Sequence, residues 1–183
     1  MNRIDFPATA DEAPATVQGV LAGLQKTLGF VPNLHRLMSL SPHVLAGWFG
    51  LMSHLGRTLD VKTRESIALA TSQANGCDYC LAAHAYVANT FAKMSAEEIA
   101  LNRAGRSENP RRAAAAAFAR RVIETRGQVT DEDLAVVRAA GYSDANIVEI
   151  VASTVQYLMT NFLNNVAKTA VDFPVTGAPA TTA

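Results

Sequence analysis

Residues 76–84, Gly76-Cys77-Asp78-Tyr79-Cys80-Leu81-Ala82-Ala83-His84, hold both cysteines of the chain and a histidine one helical turn after the second. Asn75-Gly76 reads as the stop of one helix, which puts Cys77 at the start of the next and Cys80 one turn inside it. Glu65 lies on the helix before that turn, so the pattern is Glu-x11-Cys-x2-Cys-x3-His. A Cys-x-x-Cys pair is a small loop in which two thiols cycle readily between dithiol and disulfide. The thiolate is the reactive form, and a helix N-terminus favours it through unpaired N–H groups and the helix dipole. Cys80 and His84, four apart, share a helix face, and helical side chains lean toward the N-terminus, which carries the imidazole back over Cys80. Glu65 is expected to fold back across the turn as a proton acceptor or relay.

Other chemistries fit the same residues. Zinc could use Cys77, Cys80, His84 and Glu65, but structural zinc usually draws a second Cys/His pair, and His35, His43 and His54 are scattered. No metal site is therefore expected. Attachment of a c-type haem needs histidine directly after the second cysteine, where this chain has Leu81. Two inert core thiols are the plainest alternative, because free cysteine is a common buried residue.

Working outward, nearly every segment has helical spacing, with alanine and leucine dominating the apolar set. A helix is expected from Pro14 to Leu28, stopped by Gly29, and a short one from Pro32 through Leu40. Ser41-Pro42 opens another, to about Leu55, and Asp60 caps the helix that carries Glu65. The cysteine helix should reach about Ala92, and Ser95-Ala96-Glu97-Glu98 has the pattern of a capping box. Asn109-Pro110 opens an alanine-rich helix to Arg126, Thr130 caps a short one, and Ser143 caps a long one to about Thr169. That last helix carries apolar residues on almost every face, including Ile147, Ile150, Val155, Leu158 and Phe162, as expected of a helix that is central or covered by a second chain. Asn161, Asn164 and Asn165 interrupt it and need hydrogen-bond partners, across an interface or near the site. Trp48 and Phe49 read as core, and Arg111, Arg112, Arg120, Arg121 and Arg126 as a solvated face.

With 183 residues, 49% of them hydrophobic, the chain fits one all-α domain, 1–183, with a core over about 29–171 and a frayed tail over 172–183. Zero formal net charge leaves no electrostatic footprint for nucleic acid or an anionic membrane surface. No apolar run approaches the ~20 residues of a membrane span, and no signal-peptide core follows Met1. A cytoplasmic location is expected, where a Cys-x-x-Cys pair is catalytic more often than structural.

The segment from Leu59 to His84 resembles the core motif of the AhpD-like alkylhydroperoxidases, within the carboxymuconolactone decarboxylase superfamily. Leu28-Gly29-Phe30-Val31-Pro32-Asn33-Leu34 resembles the entry segment of its peroxidase-related branch, and Ile147 to Pro174 its ending. The resemblance implies an AhpD-like helical fold that forms homo-oligomers, dimers, trimers or hexamers. It implies reduction of a hydroperoxide by the cysteine pair, without a bound cofactor, and recycling by an external dithiol of lipoyl or thioredoxin type. By position, Cys80 matches the peroxidatic cysteine, Cys77 the resolving one, His84 the histidine beside the reactive thiol, and Glu65 the acid of the proton relay. The family's decarboxylases lack the cysteine pair. The family peroxidase has a histidine where this chain has Tyr79, so a relay here would pass through water or the Tyr79 hydroxyl. The alternatives are a thiol–disulfide oxidoreductase, or a redox-sensing oligomeric module without peroxide turnover.

Overall fold

The computed structural model describes residues 2–174, and among them the chain forms α-helices and no strand. These are α1 (Ala15–Leu28), α2 (Asn33–Met38), α3 (Pro42–Leu55), α4 (Val61–Ala74), α5 (Asp78–Thr90), α6 (Ala96–Arg103), α7 (Pro110–Glu124), α8 (Asp131–Ala139) and α9 (Asp144–Ala167). None of the described helices is long and apolar enough to cross a membrane.

Local capping explains most of the boundaries. The Asp60 carboxylate accepts the Thr63 backbone N–H at 3.1 Å, while Thr130 with Asp133 and Ser143 with Asn146 each form a reciprocal capping box. Ser41 is extended but makes no side-chain cap bond; Pro42 at the first helical position leaves one fewer donor to satisfy. The box expected at Ser95 is half formed. Ser95 accepts from the Glu98 N–H, but the Glu98 carboxylate accepts instead from the Glu108 N–H at 2.8 Å, from Asn102 at 3.0 Å and from the Ser107 hydroxyl. That buried carboxylate fixes the approach to α7.

Central to the domain is α4, which packs against α5, α6, α7 and α9. Its fully buried Ile67 and Ala68 join Ala115, Phe118, Val122, Val137 and Ile150 in one core cluster. A second cluster joins Val17, Leu21, Leu34, Leu45 and Trp48 of the first three helices to Cys77, Tyr79 and Cys80. Full burial of a side chain such as Leu21 or Leu45 is worth about 1.5–3 kcal/mol, so α1 is integral to the domain although it precedes the expected core.

Within one chain the last helix is central on one side only, so of the two expected explanations for its apolar circumference full burial inside the domain does not hold. Ile147, Ile150, Tyr157, Asn161 and Asn164 face inward, whereas Val148, Val155, Met159, Phe162 and Val166 form an exposed apolar stripe, Phe162 being 54% exposed. The expected fraying from Asp172 is also not what residues 172–174 show. The Asp172 carboxylate accepts the Asn33 backbone N–H at 2.6 Å, and the Phe173 ring meets Phe30 and Tyr79 edge-on. The rest of that tail, 175–183, lies outside the described residues. Asp172→Ala should lower stability by about 1 kcal/mol, the usual worth of a lost N-cap, measured by urea unfolding. An unchanged midpoint would mean that the clasp contributes nothing.

Candidate active site

The turn between α4 and α5 sets the site. Gly76 takes a positive φ of 58°, which lets the chain reverse at once, and the Cys77 N–H returns to the Ser72 carbonyl at 3.0 Å. Cys77 then serves as the N-cap of α5, its sulfur accepting the Cys80 backbone N–H at 3.3 Å. The turn is held from the other side by α9. Asn161 donates to the Ser72 hydroxyl at 3.2 Å and accepts from the Asn75 amide at 3.0 Å, while Asn165 donates to the Asn75 carbonyl at 2.9 Å. The amides that interrupt the apolar helix thus find their partners beside the site, within one chain.

All four residues singled out from the sequence meet here. The Cys77 and Cys80 sulfurs are 2.6 Å apart, with Cys77 donating, and both are buried. Glu65 and His84 are joined at 2.9 Å between Oε2 and Nδ1, so the carboxylate reaches the imidazole rather than either thiol. Asn164 donates its amide to the Cys80 sulfur at 3.3 Å, a contact that no local spacing announces.

These contacts make the two thiols unequal. The Cys80 pKa is lowered to about 7: the hydrogen bond from Cys77 contributes most, burial opposes it, and the His84 charge and the Asn164 and Asn161 amides add to it. The Cys77 thiol is pushed far above the ordinary range, first because its proton is committed to Cys80 and then because it is buried. Burial works against protonation of His84, but the Glu65 carboxylate outweighs it and the imidazole pKa is raised. These shifts favour the thiolate at Cys80 and the protonated imidazole at His84 beside it, while Cys77 keeps its proton.

Tyr79 is not part of that chain. Its hydroxyl accepts the Leu34 backbone N–H at 3.0 Å, and burial raises its pKa well above the ordinary phenol range. The ring packs on Phe173. Tyr79 therefore fastens α2 to α5, and the relay through its hydroxyl anticipated from the sequence is replaced by the direct Glu65–His84 contact. Among the described residues no group of three or more His, Cys, Asp and Glu side chains could hold a metal ion.

Cys80, Glu65 and His84 line a cavity of about 420 Å³ together with Arg64, Tyr157 and Gln156. The wall contributed by α2 and α3 includes Leu34, His35, Trp48, Phe49, Met52 and Leu55. Trp48 and Phe49 are thus cavity wall as well as core, and His35, one of the scattered histidines, is a lining residue. Its imidazole is buried, which lowers its pKa to about 4 and keeps it neutral at physiological pH. Sequence periodicity marks these three as apolar or boundary positions; only the docking of α2 and α3 against α5 makes them a wall. His54 is exposed.

The cysteine pair thus sits on a helical hairpin, flanked by the Glu65–His84 couple. The sequence model of the Carboxymuconolactone decarboxylase family matches residues 42–122. An AhpD-core, peroxidase-related protein from Ralstonia eutropha JMP134 superposes with a TM-score of 0.84 at 24% identity, covering 93% of this chain and 92% of its own. A peroxidase-related protein from Silicibacter sp. TM1040 gives 0.84 at 22% identity, covering 96% and 94%. The debrominase Bmp8 gives 0.78 at 22% identity, covering 94% of each chain. No curated protein matches the chain. Residues 42–122 thus match that family, and the chain as a whole has the AhpD-like fold.

Alkylation of Cys80 by iodoacetamide should be slow below pH 7, rise through about pH 7 as the thiolate forms, and level off above it. Asn164→Ala and His84→Ala should each move that midpoint upward, toward an ordinary thiol. Peptide mapping of the labelled cysteine checks both, and a midpoint that stays put in Asn164→Ala would remove the amide from the account.

Proposed function

We propose that the protein is a cysteine-based peroxidase that reduces a hydroperoxide with its Cys77–Cys80 pair and is recycled by an external dithiol. The observation that carries this reading is the acidified Cys80 sulfur in contact with the protonated Cys77 sulfur, on the wall of a largely apolar pocket. The peroxidase-related relatives support it at the level of the fold.

In this mechanism the Cys80 thiolate attacks the terminal peroxide oxygen. The S–O bond forms as the O–O bond breaks, and the departing alkoxide takes a proton from His84. Glu65 holds the imidazole by Nδ1, leaving the other ring nitrogen for the substrate, and stabilises its charge. Cys80 is now a sulfenic acid. Cys77 attacks that sulfur, its proton leaves with the hydroxyl as water, and a disulfide remains. Two thiols of the external reductant return the pair to the dithiol by exchange. Both sulfurs are buried, which favours a small or arm-borne dithiol of the lipoyl type over a thioredoxin-like protein surface. The exposed stripe of α9 is the proposed contact of a homo-oligomer, because apolar side chains at Val148, Val155, Met159, Phe162 and Val166 form a continuous patch down one helix face.

A pulse of hydrogen peroxide on Cys77→Ser should leave a trappable sulfenic acid at Cys80, whereas Cys80→Ser should give none. The reverse pattern would invert the assignment. In the wild type, stopped-flow mixing should remove both thiols much faster than free cysteine reacts, with turnover when dihydrolipoamide is added. Loss of both thiols without turnover would mark a redox-sensing module instead.

Light scattering of the wild type should give a mass well above the 19.4 kDa of one chain. Phe162→Glu with Val166→Glu should yield a folded monomer, since both positions are exposed within one chain. A wild-type monomer at micromolar concentration would end the oligomer proposal.

A further inference from the structure

The cavity has two kinds of wall. The side built by α1, α2 and α3 is largely apolar, with Leu24, Leu34, Trp48, Phe49 and Met52 among its lining residues. The helices α4 and α9, which pack on each other, supply polar groups instead: Arg64 and Glu65 from one, Gln156, Tyr157 and Thr160 from the other. The mechanism above employs only Glu65 of these. Gln156 is 4% exposed, and its side-chain amide makes no hydrogen bond among the described residues. Trp48 Nε1 and the Thr71 hydroxyl are also unpaired, but both are sealed inside the protein. The Gln156 amide atoms are not sealed in that way, and the residue lines the cavity, so a bound molecule can reach them. A primary amide taken out of bulk water needs partners for its two donors and its acceptor oxygen, and methionine would fill the same space without that demand.

Arg64 brings a fixed charge to the same side. A guanidinium keeps its proton at any physiological pH, so this charge does not depend on the state of Cys80 or His84. One of its N–H groups is held by the Leu59 carbonyl, which orients the group. Arg64 takes part in no ion pair among the described residues, and the neighbouring Glu65 carboxylate is committed to His84 Nδ1 at 2.9 Å. Burial keeps the Tyr157 hydroxyl protonated, Glu65 adds to that and Arg64 opposes it, so these groups lie at one end of the cavity. The volume of about 420 Å³ falls within the usual range for small organic ligands and is far larger than hydrogen peroxide requires.

We propose that Arg64 and Gln156 form a carboxylate-recognition subsite, so that the cavity takes a small amphipathic acid with an alkyl or aryl body. The guanidinium supplies charge-assisted donors to the carboxylate and the Gln156 amide a further one, while the body packs on Trp48, Phe49 and Met52. This assigns a substrate class to the site. It rests on the peroxidase reading for one statement only, that the acid carries a hydroperoxide group for Cys80.

Octanoate, 1-octanol and octylammonium share one chain and differ in charge. Calorimetric titration of the reduced protein at neutral pH gives their affinities, and the emission of Trp48, the single tryptophan and a lining residue, reports whether they enter the cavity. Octanoate should bind roughly tenfold more tightly than octanol, the scale of one charge-assisted hydrogen bond, and octylammonium more weakly than either. Hydrophobicity alone orders octanoate and octanol the other way, because water holds the carboxylate more strongly. Arg64→Met should bring octanoate below octanol, Arg64→Lys should keep part of the preference, and Gln156→Met should weaken octanoate severalfold. In the wild type, octanoate binding no tighter than octanol, octylammonium binding as tightly as octanoate, or saturation without a change in Trp48 emission each overturns the proposal. A folded Arg64→Met protein that keeps the preference overturns it as well. The two readings fail separately. If octanoate is preferred while no hydroperoxide oxidises the wild type, the subsite stands and the peroxidase reading falls. If hydrogen peroxide oxidises Cys80 rapidly but octanoate is not preferred, the subsite falls and the peroxidase reading stands.

Discussion

The clamp of three asparagine side chains of α9 on the α4–α5 turn is the constraint on which the site depends. A Cys-x-x-Cys pair at a helix start has its own local geometry, but local geometry leaves the turn free to move against the rest of the domain. Asn161 and Asn165 bind the last residues of α4 and the Asn75 backbone, and Asn164 reaches the reactive sulfur itself. Amide N–H groups buried on a helix that packs against α4 must be paired or they destabilise the domain, so pairing those of Asn161 and Asn164 and positioning the cysteines are one event, although the Asn164 oxygen keeps no partner. The polar groups of buried α4 are met unevenly: Glu65 pairs with His84 of α5, Ser72 accepts from Asn161 of α9, and Ser66 bonds back to the Lys62 carbonyl of its own helix, while the Thr71 hydroxyl has no partner.

Electrostatics then separates two chemically identical thiols. Burial alone would raise both, as it raises Tyr79 and Tyr157. Cys80 goes down because it receives hydrogen bonds from Cys77 and Asn164 and lies near a cation; Cys77 goes up because it gives its proton to that arrangement. Glu65 raises the pKa of that imidazole, which makes the carboxylate a partner of the histidine and only indirectly of the sulfur.

The helices were largely legible in the sequence, because their limits are set by contacts within four residues: Asp60, Ser95, Thr130 and Ser143 each accept a bond from the turn they precede. Cys77, Cys80, His84 and Glu65 were legible for a similar reason, lying on adjacent helices joined by a tight turn. Asn164 was half legible, since an amide on an apolar helix signals a partner but not which one. The His35, Trp48 and Phe49 wall was not legible. Trp48 beside Phe49 has the spacing of any core helix, and whether the rings bound a void depends on how α2 and α3 dock against α5. Tyr79 misled for a comparable reason, because its hydroxyl is taken by Leu34, far away in sequence. The all-round apolar character of α9 likewise combined a buried face and an exposed stripe that composition alone could not separate.

The distance along the chain between Cys80 and Asn164 has a consequence for how the protein comes into being. The α4–α5 hairpin is local, built from contacts that close within a few residues, and such contacts form early because their loops cost little entropy. The amide that acidifies Cys80 belongs to the last helix and reaches the sulfur only when α9 docks. During synthesis, which proceeds from the N-terminus, the hairpin is therefore complete while its sulfur still lacks two of the groups that make it acidic. The low pKa of Cys80 arrives with the closing step of folding, so an unfinished chain carries a more ordinary thiol than the finished one.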